Sequence, residues 1–199
     1  MIVSNLLNIL IWLPIGGGVL LLIIDKNNRA GLIKWLALLI AVATFLFCIP
    51  LYSEFQTNSH AMQFAWAVPW ITSLHINYQL GVDGISVPLI ILTAFSTILV
   101  VAAAWQVIEY KIAHYMAAFL IMDGLMIGVF AALDAILFYV FWEAMLVPMF
   151  LIIGIWGGPR RIYATIKFFL YTFFGSVFML IALLYLYFAA DHSFSILQF

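Results

Sequence analysis

The stretch Ala135-Ile-Leu-Phe-Tyr-Val-Phe-Trp-Glu-Ala-Met-Leu-Val-Pro-Met149 contains a single charged side chain, Glu143, among apolar and aromatic residues. With the apolar residues that continue to 156, it is long enough to cross a hydrocarbon core of about 30 Å as a helix rising about 1.5 Å per residue. A membrane barrel would instead show segments of about ten residues with alternating hydrophobicity. This continuous run therefore predicts a transmembrane helix.

Comparable apolar runs occupy most of the 199-residue chain, which is 68% hydrophobic and 8% charged. This composition excludes a soluble globular protein and a disordered one. The first run has no basic residues before it, so it does not have the pattern of a secretory signal. We predict an all-α, polytopic transmembrane helix bundle with six spans, near residues 5–24, 33–52, 84–108, 112–132, 135–156 and 162–189.

Basic residues mark one side of the predicted bundle. The N-terminal tail, the 53–82 loop, the turn at Asp134 and the tail after 189 contain no Lys or Arg. By the positive-inside rule, the N-terminus and the 53–82 loop lie outside, on the periplasmic side. The alternating run from Leu74 to Leu80 and the nearby tryptophans predict a loop lying against the bilayer with a short hairpin. The cytoplasmic loops hold Lys26, Arg29, Lys34, Lys111, Arg160 and Arg161.

Three ionisable residues lie inside the predicted spans: Asp123, Glu143 and Lys167. A charge at the middle of a bilayer costs at least about 2.5–3.5 kcal/mol. Each of the three therefore needs a partner, a water-filled cavity or a function. Asp123 is open to interpretation as a translocating group, a hydrogen-bonded structural acid or an inert protonated acid. Lys167 could belong to an interior polar pathway or extend its long side chain to the cytoplasmic interface.

Glu143 is the strongest functional candidate, because Pro148 follows it in the same span. Proline has no backbone N–H, so the carbonyl of Ala144 loses its helical donor and the helix is disposed to bend. A freed carbonyl is tolerated in a membrane where it faces protein or water. The sequence thus predicts a place for a water molecule beside Glu143.

The short turn at Asp134 makes the fourth and fifth spans antiparallel neighbours. Asp123 and Glu143 then lie at one level, about 14–16 Å from the outer surface, although their facing is not determined. Two desolvated carboxylates side by side would resist simultaneous ionisation. Lys167 lies about 9 Å from the inner surface and Glu143 about 20 Å, so a direct bridge between them is not expected.

The remaining polar residues favour structural interpretations. Asp83 and Asp134 precede spans and are expected to be N-caps. His114, one turn into span 4, could relay protons or pack at the interface. The triplet from Gly16 to Gly18 predicts close helix packing, because it lacks the Lys-Ser/Thr of a phosphate loop. Cys48, the single cysteine, lies in an apolar run and cannot form a disulfide within the chain.

Nothing in the sequence indicates a cofactor, a metal or nucleic acid. His60, His75 and His192 are irregularly spaced, so no metal site is predicted. The chain has no GxGxxG, CxxC or HExxH pattern and no long basic tract. We therefore expect no bound cofactor, no metal and no nucleic-acid partner.

The run from Phe138 to Met149 resembles subunit M of the proton-pumping NADH:quinone oxidoreductase, respiratory complex I, a family of antiporter-like membrane subunits. The runs 154–163 (GIWGGPRRIY), 166–172 (IKFFLYT), 80–86 (LGVDGIS) and 128–134 (GVFAALD) resemble the same family. The resemblance covers essentially the whole chain. It implies an antiporter-like module of about fourteen helices in two inverted repeats, without a redox cofactor or directly bound NADH.

The resemblance also implies roles for individual residues. Glu143 matches the fifth-helix glutamate that pumping requires, and its partner lysine on helix seven would lie beyond Phe199. Lys167 matches a sixth-helix lysine, which favours the interior pathway. Asp123 stands where close relatives often have glutamate. Some relatives have a further glutamate where this chain has Val107, so that second acid is not carried over to Glu109.

The expected protein is a multi-pass subunit of the bacterial inner membrane, in contact with lipid and other complex I membrane-arm subunits. It would translocate protons while electrons pass from NADH to quinone in those other subunits, with Glu143 exchanging the proton and Asp123 and Lys167 lining its route. Residues 1–111 would form the first three helices with the outer loop, and 112–199 the start of the proton-translocating repeat. The alternatives are a subunit of a related cation/proton antiporter or membrane-bound hydrogenase, and a scaffold that does not transport.

Overall fold

The computed structural model describes residues 5–24, 30–59, 61–190 and 192–199, and its helices confirm the predicted spans. Six helices in this part of the chain are long and apolar enough to cross a membrane. They are α1 (Leu6–Ile24), α2 (Ala30–Ser53), α3 (Ser86–Val107), α4 (Ile112–Ala131), α5 (Ala135–Trp156) and α6 (Arg161–Ala189). Residues named in the sequence analysis that lie outside the described part are Lys26, Arg29 and His60.

The predicted hairpin between α2 and α3 is present. Strands β1 (Gln63–Ile71) and β2 (Ile76–Val82) pair antiparallel, with Trp66 opposite Leu80 and Val68 opposite Tyr78. A short turn joins them and ends at His75, whose φ of 54° lies in the left-handed region. The hydroxyl of Tyr78 accepts from Trp12 Nε1 at 3.2 Å and donates to Asn8 Oδ1 at 2.8 Å. These bonds hold the hairpin against the start of α1.

Helix α4 is the centre of the bundle and packs against α1, α2, α3 and α5. Glycines allow α1 and α4 to approach closely, as small residues do between membrane helices. A Cβ added at Gly18 would lie 2.8 Å from the Ala117 carbonyl oxygen, and one at Gly124 would overlap the Ile11 carbonyl oxygen. Gly17 packs on Ile40 of α2, whereas Gly16 has open space beside it. The predicted packing role holds for two glycines of the triplet.

Two apolar clusters fill the bundle, one near the hairpin and one toward the opposite end. The first includes Cys48, Ala94 and Ile127, and the second includes Ala41, Val101 and Leu120. The buried polar residues Thr44, Thr97 and Asp123 fall between these pairs in sequence, on α2, α3 and α4. A polar layer therefore crosses the middle of an otherwise apolar bundle.

Asp134 caps α5 as predicted and also binds the hairpin. Its Oδ1 accepts from the backbone N–H groups of Ile136 at 2.9 Å and Leu137 at 3.2 Å, while Oδ2 accepts from Asn77 N at 2.9 Å. On either side, Leu133 N donates to Gln79 O and Ile196 N donates to Leu133 O, both at 2.9 Å. The α4–α5 turn thus lies between β2 and the last residues of the chain.

Asp83 acts at the start of α3, slightly farther from the helix than predicted. Ile85 occupies the N-cap position. Asp83 Oδ1 accepts from the backbone N–H of Ile85 at 3.1 Å and of Ser86 at 2.7 Å. The Ser86 N–H, together with the weaker Ile85 bond, holds the pKa of this carboxyl below its ordinary value despite its partial burial.

Basic residues gather at the end of the bundle opposite the hairpin, which we call the basic end. Lys34 Nζ donates to the carbonyl oxygen of Trp105 near the end of α3. This places a cation at a helix C-terminus, where the helix dipole favours it. Trp156 Nε1 donates to Tyr110 O at 2.9 Å, which joins the end of α5 to the α3–α4 loop.

Candidate functional site

Glu143 lies near the middle of α5, with a partly buried side chain. Its Oε1 is buried and has no hydrogen-bond partner in the described part of the chain. A buried carboxylate oxygen without a donor is costly in an apolar environment. Such an atom marks a position where a proton or a donor group can be accepted.

Tyr139 and Ser176 extend the surroundings of Glu143. Tyr139 lies one helical turn before Glu143 on α5 and interacts with its carboxylate and with Ser176 of α6. Residues four apart share a helix face, so Tyr139 and Glu143 both face the α5–α6 side. Ser176 is one of two buried residues of α6, the other being Thr165. The polar group formed by Tyr139, Glu143 and Ser176 is called the Glu143 site below.

Packing between α4 and α5 turns Glu143 away from α4. Phe141 is buried and lies against Gly128, where an added Cβ would come within 2.8 Å of the Phe141 ring. Two residues farther along a helix correspond to a rotation of about 200°. Glu143 therefore projects from the side of α5 opposite the α4 contact, which resolves the facing that the sequence left undetermined.

Asp123 lies on α4 in the polar layer and is 1% exposed. Its Oδ1 is 2.8 Å from Thr97 Oγ1 of α3. The same Thr97 oxygen is 3.1 Å from the carbonyl oxygen of Thr93, one turn earlier. Asp123 Oδ2 is buried and has no hydrogen-bond partner in the described ranges. The partner of Asp123 is thus on α3, not on α5.

Cys48 of α2 completes the surroundings of Asp123. The two side chains interact electrostatically, and Cys48 Sγ lies 3.4 Å from the Thr44 carbonyl oxygen. Thr44 is fully buried, and its hydroxyl donates to Ile40 O at 3.0 Å. We call this group of Thr44, Cys48, Thr97 and Asp123 the Asp123 site. It lies within the first four helices, whereas the Glu143 site lies between α5 and α6.

Lys167 occupies the exposed side of α6, toward the basic end. Its Nζ lies 5.9 Å from the centre of the Tyr163 ring, a cation–π distance. A groove lined by Arg160, Tyr163, Lys167 and Tyr171 runs along this face. Lys167 precedes Ser176 by nine residues, which is about 14 Å along the helix. The structure therefore separates Lys167 from Ser176, the member of the Glu143 site on α6, along the axis of this helix.

The secondary candidates differ in burial. Pro148 is buried, and α5 continues as a helix through it. Because proline donates no hydrogen bond, the Ala144 carbonyl lacks its usual donor one residue after Glu143. His114 is exposed near the start of α4. His75 lies in the hairpin turn, and the His192 ring makes edge-to-face contacts with Tyr187 and Phe188.

Two models of known protein families match almost all of the chain. Residues 9–131 match the family model described as NADH-ubiquinone oxidoreductase chain 4, amino terminus. The chain belongs to this family. Residues 132–198, which include the Glu143 site, match a model described as NADH:quinone oxidoreductase/Mrp antiporter, TM. The resemblance seen in the sequence is confirmed.

A curated relative, NADH-quinone oxidoreductase subunit M of Rhodobacter capsulatus, is 48% identical over 190 residues. The match covers 94% of this chain and 36% of the relative. The chain thus spans little more than a third of the length of that relative. Identity of this degree over nearly the whole chain extends the family relationship across all six helices.

Solved structures show the same fold. A chain of respiratory complex I from Thermus thermophilus with bound NADH has a TM-score of 0.80 and 29% identity, covering 100% of this chain and 38% of that one. A chain of the Mrp complex from a Dietzia species has a TM-score of 0.77 at 15% identity, covering 94% and 20%. The second likeness concerns the fold alone. The six described helices therefore share the fold of these antiporter-like membrane subunits.

Sequence reasoning missed the polar neighbours of both acids. Thr93 and Thr97 are four residues apart in an apolar helix, a spacing that places both hydroxyls on one face. Tyr139 stands four residues before Glu143, and the same rule would have joined them. Ser176 offered no comparable signal, because its contact depends on how α6 packs against α5.

Proposed function

We propose that this chain serves in a membrane subunit of NADH:quinone oxidoreductase that translocates protons, with Glu143 as the group that takes up and releases the proton. The observation that supports this most is the buried, unpartnered Oε1 of Glu143 within an antiporter-like bundle. Electron transfer from NADH to quinone would take place in other subunits. The partners would be membrane-arm subunits of the complex and the lipids of a bacterial inner membrane.

The chemistry of the Glu143 site suits reversible protonation. A carboxyl group in an apolar span is stable when neutral, and its charged form requires donors or a nearby cation. The Tyr139 hydroxyl can donate to the charged form. The free Ala144 carbonyl can hold a water molecule that carries the proton to or from Glu143. The lysine partner that the resemblance implies on a seventh helix stays a prediction.

Lys167 is proposed as a protonatable group on the basic-end side of this route. Its Nζ faces the groove of α6 that also contains Arg160, and water could connect this groove with the Glu143 site. His114 stays a weaker candidate for a relay on the same side. The division into residues 1–111 and 112–199 also stays a prediction.

We propose that the basic end faces the cytoplasm, with the N-terminus and the hairpin outside. The described basic residues Lys34, Lys111, Arg160 and Arg161 all lie at this end. Cysteines introduced singly at Ser73 of the hairpin turn and at Gly158 of the α5–α6 loop should react with an impermeant maleimide from opposite sides. Labelling of the Gly158 position from the outside would show that the orientation is the reverse of the one proposed.

Substitution of Glu143 in the full-length subunit, within the assembled complex, tests the function. Glu143→Gln should abolish the protons pumped per NADH oxidised while the complex still assembles, because an amide cannot release a proton. Glu143→Asp should retain part of the pumping. Glu54→Gln, which neutralises an exposed acid after α2, is the matched control and should pump normally. Full pumping by Glu143→Gln would favour a scaffold without transport.

A subunit of a cation/proton antiporter is the second candidate, favoured by the likeness to the Mrp complex. The two candidates differ in their dependence on NADH. An antiporter would exchange sodium for protons in vesicles, and the wild type would show no NADH-dependent pumping. If Glu143→Gln abolished that exchange, the antiporter function would replace the first proposal. A membrane-bound hydrogenase subunit would show instead proton pumping coupled to hydrogen evolution.

A further inference from the structure

We infer that Asp123 keeps its proton, donates it to Thr97 in a hydrogen bond that fixes α4 to α3, and stands outside the path of the translocated proton. The hydrogen-bond assignment at the Asp123 site is independent of the role proposed for Glu143, whereas the place of Asp123 outside the proton path rests on the proposed function. It assigns opposite behaviour to two carboxyl groups that the sequence places at one depth.

Two oxygen atoms lie within hydrogen-bonding distance of the Thr97 hydroxyl group, which has a single proton. Thr97 Oγ1 lies 2.8 Å from Asp123 Oδ1 and 3.1 Å from the Thr93 carbonyl oxygen. A hydroxyl group has one proton, so Thr97 can donate to only one of these two oxygens. If Asp123 is neutral, its O–H donates to Thr97 Oγ1 and the Thr97 proton goes to the Thr93 carbonyl. Both short distances are then hydrogen bonds.

An ionised Asp123 leaves this site poorly satisfied. The carboxylate would accept one hydrogen bond from Thr97, and its buried Oδ2 would have no donor in the described part of the chain. Burial of a charge is tolerated only where it is paired and well hydrogen-bonded, and otherwise the group becomes neutral. The neutral acid has one remaining carbonyl oxygen without a donor, a far smaller penalty.

Among the described residues, the groups that face Asp123 carry no positive charge. Cys48 of α2 is the titratable side chain that interacts with it among the described residues. Its thiol is buried and lies near the Thr44 carbonyl. Beyond the polar layer, the two apolar clusters close the bundle toward both ends. Gly124, which follows Asp123 on α4, packs directly on Ile11 and Ile15 of α1.

The same geometry explains why a neutral acid is useful at this position. An Asp123–Thr97–Thr93 chain of hydrogen bonds joins α4 to α3 in a layer where apolar packing gives no directional contact. Polar side chains between membrane helices commonly act in this way. Asp123 is therefore a positioning residue, whereas Glu143 is the group that exchanges protons.

Asp123→Asn tests the inference in the full-length subunit within the assembled complex. The amide Nδ2–H replaces the carboxyl O–H as donor to Thr97, so the variant should assemble and pump the wild-type number of protons per NADH. Glu143→Gln, the equivalent acid-to-amide change, should lose pumping. An Asp123→Asn complex that assembles and oxidises NADH but does not pump would overturn the inference.

Infrared spectroscopy of the complex gives a second measurement that does not require the Asn variant to assemble. The infrared difference spectrum between wild type and Thr97→Val should show that the C=O band of the Asp123 carboxylic acid shifts when the hydroxyl acceptor is removed. In the wild type, this band should persist from neutral to alkaline pH. Thr97→Ser, which keeps a hydroxyl, should leave the band in place. Absence of a Thr97-sensitive band at neutral pH, or its loss during turnover, would overturn the inference.

Discussion

Replacement of Asp134 should loosen the junction between α5 and the hairpin. The Asp134 carboxylate is 1% exposed and accepts three backbone hydrogen bonds, two from the start of α5 and one from Asn77 of β2. Burial raises the pKa of this carboxyl in spite of those three donors. The stabilising feature is therefore its pair of acceptor oxygens more than its charge, and Asn should replace it better than Ala.

The expected magnitude follows from the bonds lost. Removal of an N-cap side chain costs about 0.5–2 kcal/mol. A partly buried N–H left without an acceptor, here that of Asn77, adds about 1 kcal/mol. Asp134→Ala should therefore cost about 1.5–3 kcal/mol, which corresponds to a roughly 10- to 150-fold increase in the local opening equilibrium at 1.36 kcal/mol per factor of ten.

Amide hydrogen exchange in the assembled complex measures this change residue by residue. In Asp134→Ala, the amides of Asn77, Ile136 and Leu137 should all exchange faster. In Asp134→Asn, the remaining carbonyl oxygen can still cap α5, so only Asn77 should lose protection. Equal protection of Asn77 in the wild type and the Asn variant would refute the bridging role of Oδ2. Unchanged α5 amides in the Ala variant would refute the cap.

Three further substitutions or conditions have definite expected results. Gly124→Ala should lower complex stability by about 1–3 kcal/mol in thermal unfolding, because its Cβ would meet the α1 backbone, whereas Gly16→Ala should be neutral. Ser86 amide protection should be constant above about pH 4 and fall at lower pH, since the lowered pKa of Asp83 makes its bond to Ser86 depend on the ionised form. Tyr78→Phe should cost about 1 kcal/mol and make the hairpin more accessible to protease, without changing pumping.

The spans could be predicted from the sequence because composition alone determines them. Each helix is apolar over a length that fits the bilayer, and short polar turns separate the runs. The hairpin followed from alternation between Leu74 and Leu80, and the Asp134 cap from its position before an apolar run. These features depend on residues near one another in the chain, so local rules suffice for them.

The facing of the helices could not be predicted in the same way. A membrane helix that is apolar on all sides has no polar face to indicate which side meets a neighbour. The direction of Glu143 depends on the contact between Phe141 and Gly128, which are on different helices. The partner of Asp123 likewise depends on how α3 packs against α4. The depth of each acidic residue in the membrane could be predicted by counting residues along its span. The rotation of each helix about its own axis required the structure.

The directions in which Asp123 and Glu143 project change the electrostatic relation that their shared depth suggested. Two carboxyl groups at one level would hinder each other's ionisation if they shared a site. Here Asp123 contacts α3 and α2, while Glu143 projects toward α6 from the far side of α5. Repulsion between the two carboxyl groups therefore does not follow from their shared depth. In the proposed function, the groups that would govern proton release from Glu143 lie on its own side of α5, where Tyr139 interacts with its carboxylate and Ser176 of α6 interacts with Tyr139.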